Sequence, residues 1–214
     1  MVDTIVVNEI FRSIQGESTY AGLPTAFIRT TGCNLRCRWC DTKYAYEDGT
    51  GMTVDDIINR VGAGLPRPYS GSGLVEITGG EPLLQEGVGG LARHLLDSGF
   101  NVMIETNGSI DIGKIDKRAT MVMDVKCPGS GMSERMRWEN LDCLDRKDQV
   151  KFVIADRADY VWTLDLLGRY KRLLDQTILF SPAFGLMPPD DLASWILEDN
   201  IDVRLHLQTH KYIW

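Results

Sequence analysis

The chain has 214 residues, 43% hydrophobic and 25% charged, a composition that suits one soluble globular domain over residues 1–214 with a sizeable core. Its 30 acidic against 23 basic residues leave a formal charge of −7, which argues against a broad nucleic-acid-binding face. No apolar run reaches the roughly 18 residues of a membrane span.

Met1-Val2-Asp3-Thr4 lacks the basic and apolar regions of a signal peptide. An odd cysteine count, with three of the five clustered, points to metal in a reducing compartment rather than to a disulfide framework. The expected location is the cytoplasm, with neither membrane nor nucleic acid as a direct partner.

In chain order, strand character appears at 5–11 and 26–30, the latter ending in a glycine and a cysteine-rich loop. Thr53 is placed to cap a helix over 54–61, with Asp55 and Asp56 at its positive end. Residues 62–73, with four glycines and two prolines, predict a surface loop too short to divide domains. A strand at 74–78 runs into Gly79-Gly80-Glu81-Pro82, and a helix over 88–97 stops at Gly99. Further strands are expected at 102–105, 121–125, 149–154, 177–180 and 203–207, and helices at 158–174 and 189–198. The segments 109–120 and 130–148 carry weaker helical signals, as if their helices were shortened or lost.

Strands alternating with helices favour a parallel sheet with right-handed crossovers. The chemistry-bearing residues follow the strands, as in a (β/α) barrel, yet a full barrel takes about 250 residues. The expectation is a partial α/β barrel of about six parallel strands, with a doubly wound open sheet as the alternative. Lys147, Lys151, Arg169, Lys171 and Arg172 read most simply as a solvated face.

Cys33, Cys37 and Cys40 form a Cys-x3-Cys-x2-Cys array on one loop. Three thiolates leave a four-coordinate centre one ligand short. A [4Fe–4S] cluster normally takes four cysteines, so a cluster here would keep one iron open. The array also admits a zinc site completed by Cys127, Cys143 or a histidine, or a set of packed free thiols.

The array, together with Glu9 to Glu17, Gly22-Leu23-Pro24, Phe27-Ile28-Arg29, Gly32-Cys33-Asn34-Leu35, Cys40-Asp41-Thr42, Thr78-Gly79-Gly80-Glu81-Pro82, Glu105-Thr106-Asn107-Gly108 and Gln208-Thr209-His210-Lys211, resembles the radical S-adenosylmethionine (SAM) enzymes of the 7-carboxy-7-deazaguanine synthase family nearly end to end. That resemblance implies a [4Fe–4S] cluster on Cys33, Cys37 and Cys40, SAM chelating the open iron, and Mg²⁺ on the Thr42 hydroxyl. It also implies the same incomplete barrel of about six strands. It places Trp39, Cys40, Asp41, Gly80, Glu81, Glu105, Asp124, Val125, Lys126, Ser181, Pro182, Ala183 and Phe184 against SAM. The implied substrate is 6-carboxy-5,6,7,8-tetrahydropterin, held by Ile14, Gln15, Gly16, Glu17, Arg29, Thr78, His210 and the terminal Trp214. The implied reaction is hydrogen abstraction from C6, ring contraction, return of the hydrogen and loss of ammonia, with SAM regenerated. A homodimer and an electron donor such as flavodoxin or ferredoxin come with it.

Each residue has a plainer reading beside this one. Trp39 serves equally as a packed aromatic, Gly79-Gly80-Glu81-Pro82 as a tight strand-to-helix turn, Glu105 as a surface carboxylate and Arg29 as half of a salt bridge. Ser181-Pro182 reads as an ordinary proline turn, and Asp41-Thr42 as a helix cap. Two departures from the family pattern stand out: Ser18 replaces a glycine after Gln15-Gly16-Glu17, and Asp124-Val125-Lys126 stands where Ser-Pro-Lys is familiar. His94 and His206 read as structural, Cys127 and Cys143 as spectators. A radical SAM activase that generates a glycyl radical on a partner protein shares the cysteine spacing, and a non-catalytic zinc module is the third reading.

Overall fold

The structure, a computed structural model, describes residues 4–64 and 73–214. β1 (Thr4–Ile14) pairs antiparallel with β2 (Pro24–Thr30) and with the short β3 (Thr50–Thr53). α1 (Val54–Gly64) follows directly. Thr53 Oγ1 accepts from the Asp56 amide at 3.1 Å, the expected cap, but its helix takes in the first residues of the predicted loop. Residues 65–72 of that loop lie outside the described residues.

The remaining elements are β4 (Leu74–Gly79), α2 (Gly87–Asp97), β5 (Asn101–Thr106), β6 (Thr120–Val125), β7 (Gln149–Ile154), α3 (Arg157–Arg169), β8 (Thr177–Pro182), α4 (Pro189–Glu198), β9 (Arg204–Leu205) and α5 (His210–Ile213). The sheet order is β3-β1-β2-β4-β5-β6-β7-β8-β9, and every pair from β2 to β9 is parallel. Six full strands and the two-residue β9 make the parallel part, matching the partial barrel expected from sequence.

Differences are local. The 203–207 strand shrinks to two paired residues, and β3 carried no strand signal because Gly51 interrupts it. The long helix expected over 158–174 stops at Tyr170 and resumes as a 3-10 turn over Lys171–Asp175. No helix forms between β5 and β6, and three 3-10 turns replace one between β6 and β7.

Side-chain alternation explains why the sheet curves into a barrel rather than lying open between two helix layers. On one face Val75, Ile77, Val102, Ile104, Met121, Met123, Val150, Phe152, Ile178 and Phe180 join the main core with helix residues such as Leu91, Leu95, Leu166 and Leu192. On the other face, inward residues of β4, β5 and β6 (Leu74, Met103 and Val122) form a separate apolar plug closed by Tyr20. Two residues further along come Glu76, Glu105 and Asp124, with Lys151 on β7. A charged layer above an apolar one is the cross-section of a barrel lumen. A doubly wound sheet would bury this face under helices and keep it apolar.

The chain after β9 returns across the open top. Thr209 donates its amide and hydroxyl to the Gly16 carbonyl at 2.9 and 2.8 Å, and the Ser18 amide donates to His206 Nε2 at 3.0 Å. His206 is therefore a structural residue, as its strand position suggested. Met103→Ala would open the plug and should cost about 2–5 kcal/mol of unfolding free energy, measured by urea denaturation.

Candidate active site

β2, β4, β5, β6 and β7 end around a cavity of about 710 Å³. One wall is the cysteine loop. Gly32 donates to the Ala45 carbonyl at 2.8 Å, buried Leu35 anchors the loop, and the Glu81 amide donates to the Gly32 carbonyl at 2.8 Å. Gly80 is needed here because a Cβ would run into the Gly32 carbonyl and the Cys33 Cβ. The Asn107 amide reaches Cys33 Sγ at 3.8 Å and Asn34 Oδ1 at 3.2 Å, tying the loop to the end of β5.

Cys33, Cys37 and Cys40 all line the cavity, and neither Cys127 nor Cys143 does. Burial raises the Cys33 and Cys37 thiols, and the Lys126 ammonium opposes it. Among the described residues no three His, Cys, Asp or Glu side chains converge on one point as a single ion requires. Three cavity-facing thiols without a fourth fit a multi-iron cluster with one open iron better than a closed zinc site. Thr42 lines the same wall with its hydroxyl 3.7 Å from Cys40 Sγ. It precedes a 3-10 turn but makes no capping hydrogen bond, so the cap reading fails and the hydroxyl stays available as a neutral oxygen ligand. Asp41 is engaged by Lys211.

The floor is charged. Lys151, predicted to lie on a solvated face, is 3% exposed and pairs with Glu17 at 2.5 Å, with Glu105, and with Asp124 at 3.5 Å. Burial opposes its charge, but the three carboxylates hold its pKa well above the ordinary lysine value. Glu17 is likewise penalised by burial, yet Lys151 and a 2.8 Å bond from Gln208 bring it down to about 2. Glu105 is raised by burial despite Lys151. Lys126 pairs with Asp124 at 2.8 Å, and the other oxygen, Asp124 Oδ1, is buried without a hydrogen-bond partner.

The remaining predicted residues divide. Ile14, Gly16, Arg29, Trp39, Thr78, Phe184, His210 and Trp214 line the cavity with the residues above. Arg29 lies 5.6 Å from the centroids of both Phe11 and Tyr44 and is held by Glu9 at 2.8 Å, so it is salt-bridged and cavity-facing at once. His210 packs on Gly16, where any Cβ would strike its ring. Ser18 keeps the glycine geometry of the family turn, with φ of +65°, and its hydroxyl accepts from the Tyr20 amide at 3.1 Å.

Six predicted contacts are not at the cavity. Gln15 turns beneath it, with Nε2 on Glu76 at 2.5 Å and Oε1 accepting from the Glu17 amide at 3.0 Å. Glu81 is fully buried and accepts from Leu83, Thr106 and Asn107, a strut between two loops rather than a ligand-facing carboxylate. Burial pushes its pKa up to about 7. Val125 points into the core, and Ser181, Pro182 and Ala183 are buried at the end of β8, where Ala183 donates to Ile154. Sequence reasoning also passed over Glu76, Lys151, Phe11, Phe27, Tyr46 and Lys211, all of which line the cavity. A charge at an inward position of an otherwise apolar strand, in Leu74–Thr78 and Gln149–Ile154, was the signal available for the first two.

A partial parallel barrel with its cavity at the strand ends and three disulfide-free cysteines on its rim has the architecture of the radical SAM class of enzymes. Residues 27–124 match the family model described as the Radical SAM superfamily. The chain is 45% identical to the 7-carboxy-7-deazaguanine synthase of Koribacter versatilis, covering 97% of this chain and 96% of that protein. It is 37% identical to that of Thermoplasma acidophilum, covering 98% and 97%. The crystal structure of QueE from Escherichia coli superposes with a TM-score of 0.76 at 22% identity, over 95% of this chain and 93% of that one. The chain belongs to the 7-carboxy-7-deazaguanine synthase family.

Lys151→Met should destabilise the protein by about 3–5 kcal/mol at neutral pH, since three carboxylates would lose their buried counter-charge. The wild type should lose stability as pH falls from about 4.5 towards 2, because Glu17 is ionised in the folded state below its unfolded pKa. Urea titrations across that range should show this loss in the wild type and a flatter profile in Lys151→Met.

Proposed function

We propose that this chain, as a single domain, converts 6-carboxy-5,6,7,8-tetrahydropterin to 7-carboxy-7-deazaguanine with loss of ammonia; the names of its relatives give the product. The observation that carries the reading is one cavity bounded by a three-thiol wall, an aromatic wall and a guanidinium. When bound, the cluster and SAM supply the one-electron radical chemistry. The chain's own residues bind, orient and exclude water.

Cys33, Cys37 and Cys40 would hold the cluster. SAM would lie against Trp39, Asp41, Gly80, Glu105, Asp124, Lys126 and Phe184. Glu81 acts on it through the loops it braces. Val125, Ser181, Pro182 and Ala183 shape the pocket from behind or through backbone groups.

Phe27 and Phe11, stacked at 4.9 Å with an interplanar angle of 7°, give a flat ring a flat wall. Arg29 offers a cation to the substrate carboxylate, which its Glu9 and aromatic contacts preorient. Thr78 and His210 supply polar contacts above that wall, with backbone groups at Ile14 and Gly16. Glu17 is held ionised by Lys151 and presents a fixed acceptor, while Trp214 stands at the rim. The Thr42 hydroxyl would hold Mg²⁺, a hard cation that favours oxygen ligands and would help to orient the substrate carboxylate. A homodimer, a flavodoxin- or ferredoxin-type reductant and a cytoplasmic setting complete the proposal; no helix among the described residues is long and apolar enough to cross a membrane.

A glycyl-radical activase would need a protein-docking surface at the cavity mouth. The deep charged floor and aromatic wall favour a small flat ligand instead.

Anaerobic turnover of the reconstituted protein with SAM, dithionite, Mg²⁺ and the carboxypterin should yield the deazaguanine without net consumption of SAM. Absence of product from a preparation rich in iron and sulfide would overturn the reading. A colourless zinc-only protein would favour the non-catalytic alternative. Thr42→Ala should leave iron content and SAM binding intact while weakening the response of the rate to added Mg²⁺ by roughly tenfold or more.

A further inference from the structure

Among the described residues, Glu76 is the one floor carboxyl with no cation in hydrogen-bond or ion-pair contact. It is 3% exposed, lines the cavity, and receives a single hydrogen bond, from Gln15 Nε2 to Oε2 at 2.5 Å. The Lys151 ammonium serves Glu17, Glu105 and Asp124 instead, and Arg29 is bound to Glu9. Glu76 Oε1 thus has no protein donor, although an unpaired buried carboxylate is costly. Retaining a carboxyl here makes sense if a ligand supplies the missing donors.

The register shows what kind of ligand. Glu76 and Thr78 are successive inward residues of β4, and they pair in register with Phe27 and Arg29 of β2. A planar molecule lying on Phe27, with its anionic group towards Arg29 and Thr78, would present its opposite edge to Glu76. An ionised carboxylate only accepts hydrogen bonds. It therefore matches an edge carrying two adjacent N–H donors and rejects one that alternates donor and acceptor.

We infer that Glu76, oriented by Gln15, is the specificity residue that reads the 2-amino and N3–H donors of a 2-amino-4-oxopyrimidine ring at the cavity floor. This rests on the pterin substrate proposed above and names the group that distinguishes it from other flat carboxylates. Adenine offers a donor beside an acceptor and fits this carboxylate less well.

Burial, reinforced by the Glu105 and Glu17 charges and opposed by Gln15 and Arg29, raises the empty-site Glu76 carboxyl to about 8. A ligand that donates to it favours the ionised form, so binding releases a proton and tightens as pH rises towards 8. The groups facing Glu76 are Gln15 and Glu17 from the turn after β1, Arg29 from β2 and Glu105 from β5, with Lys151 of β7 paired to Glu105 and Glu17. Of these Glu17 and Lys151 stay charged across this range. His210 is held below its ordinary value by burial.

The test is anaerobic equilibrium binding to the reconstituted, SAM-loaded protein. The ligands are the carboxytetrahydropterin and its counterpart with a 2-oxo group in place of the amine, measured from pH 6.5 to 8.5. Wild type should prefer the pterin by roughly 30-fold or more, with affinity rising with pH. Glu76→Gln keeps an acceptor for Gln15 but places a donor against the ligand. It should lose most of that preference and the pH dependence, while SAM binding and iron content stay at wild-type levels.

Equal loss of affinity for both ligands, or an unchanged preference, would overturn the assignment. If Glu76→Gln fails to retain iron, the wild-type data decide: a flat pH profile with no preference between the ligands overturns it. A wild type that binds neither ligand removes the pterin reading itself, and this inference with it.

Discussion

Lys151 Nζ sits in the lumen of the barrel with carboxylates from three directions, Glu17 from the turn after β1, Glu105 from β5 and Asp124 from β6. Each of those acids is too buried to ionise cheaply alone, and the ammonium is too buried to remain charged alone. Together they form a charge-paired floor that can face a polar ligand without flooding the core with water. Gln208 extends the network to the tail through Glu17, so closure of the barrel top and the charge balance of its floor are the same set of contacts. The apolar plug of Leu74, Met103, Val122 and Tyr20 below it keeps the network dry from the far side.

The cysteine wall is built differently. It has little regular structure, and its shape comes from backbone hydrogen bonds to neighbouring loops. Gly32 joins it to Ala45 and to Glu81, and Asn107 joins it to β5. Glu81 contributes most from out of sight, satisfying three donors from two loops with one carboxylate. A loop that must receive a large inorganic group gains from being braced at its edges while its thiols stay free of one another. A rigid floor and a braced, receptive wall thus divide the work of the site.

Much of this was legible in the chain itself. Strand ends carrying Cys33, Gly80, Glu105 and Lys126 announced a barrel with its chemistry on one rim, because the strand period and the glycine breaks are local properties. The three-cysteine array announced an open coordination site for the same reason. Lys151 was misread as solvated because its partners lie 27 to 134 positions away, and a cation in isolation looks like surface. Gln15 and Glu81 were given ligand contacts by family resemblance, whereas their hydrogen-bond partners, Glu76, Thr106 and Asn107, turn them into supports.

The sequence by itself determined the alternation that sorts each strand into a core face and a lumen face, the glycines that let the loops approach, and the gathering of three thiols on one loop. These follow from spacing along the chain and from the chemistry of single residues. Tertiary structure alone decided which charges neutralise one another, since that depends on curvature bringing β1, β5, β6 and β7 around one point. It decided too that Glu76 is left without a paired cation among the described residues, while Lys151, three strands away, has three carboxylates. Electrostatic energy falls with distance through space, and distance through space is what a linear order of residues does not contain.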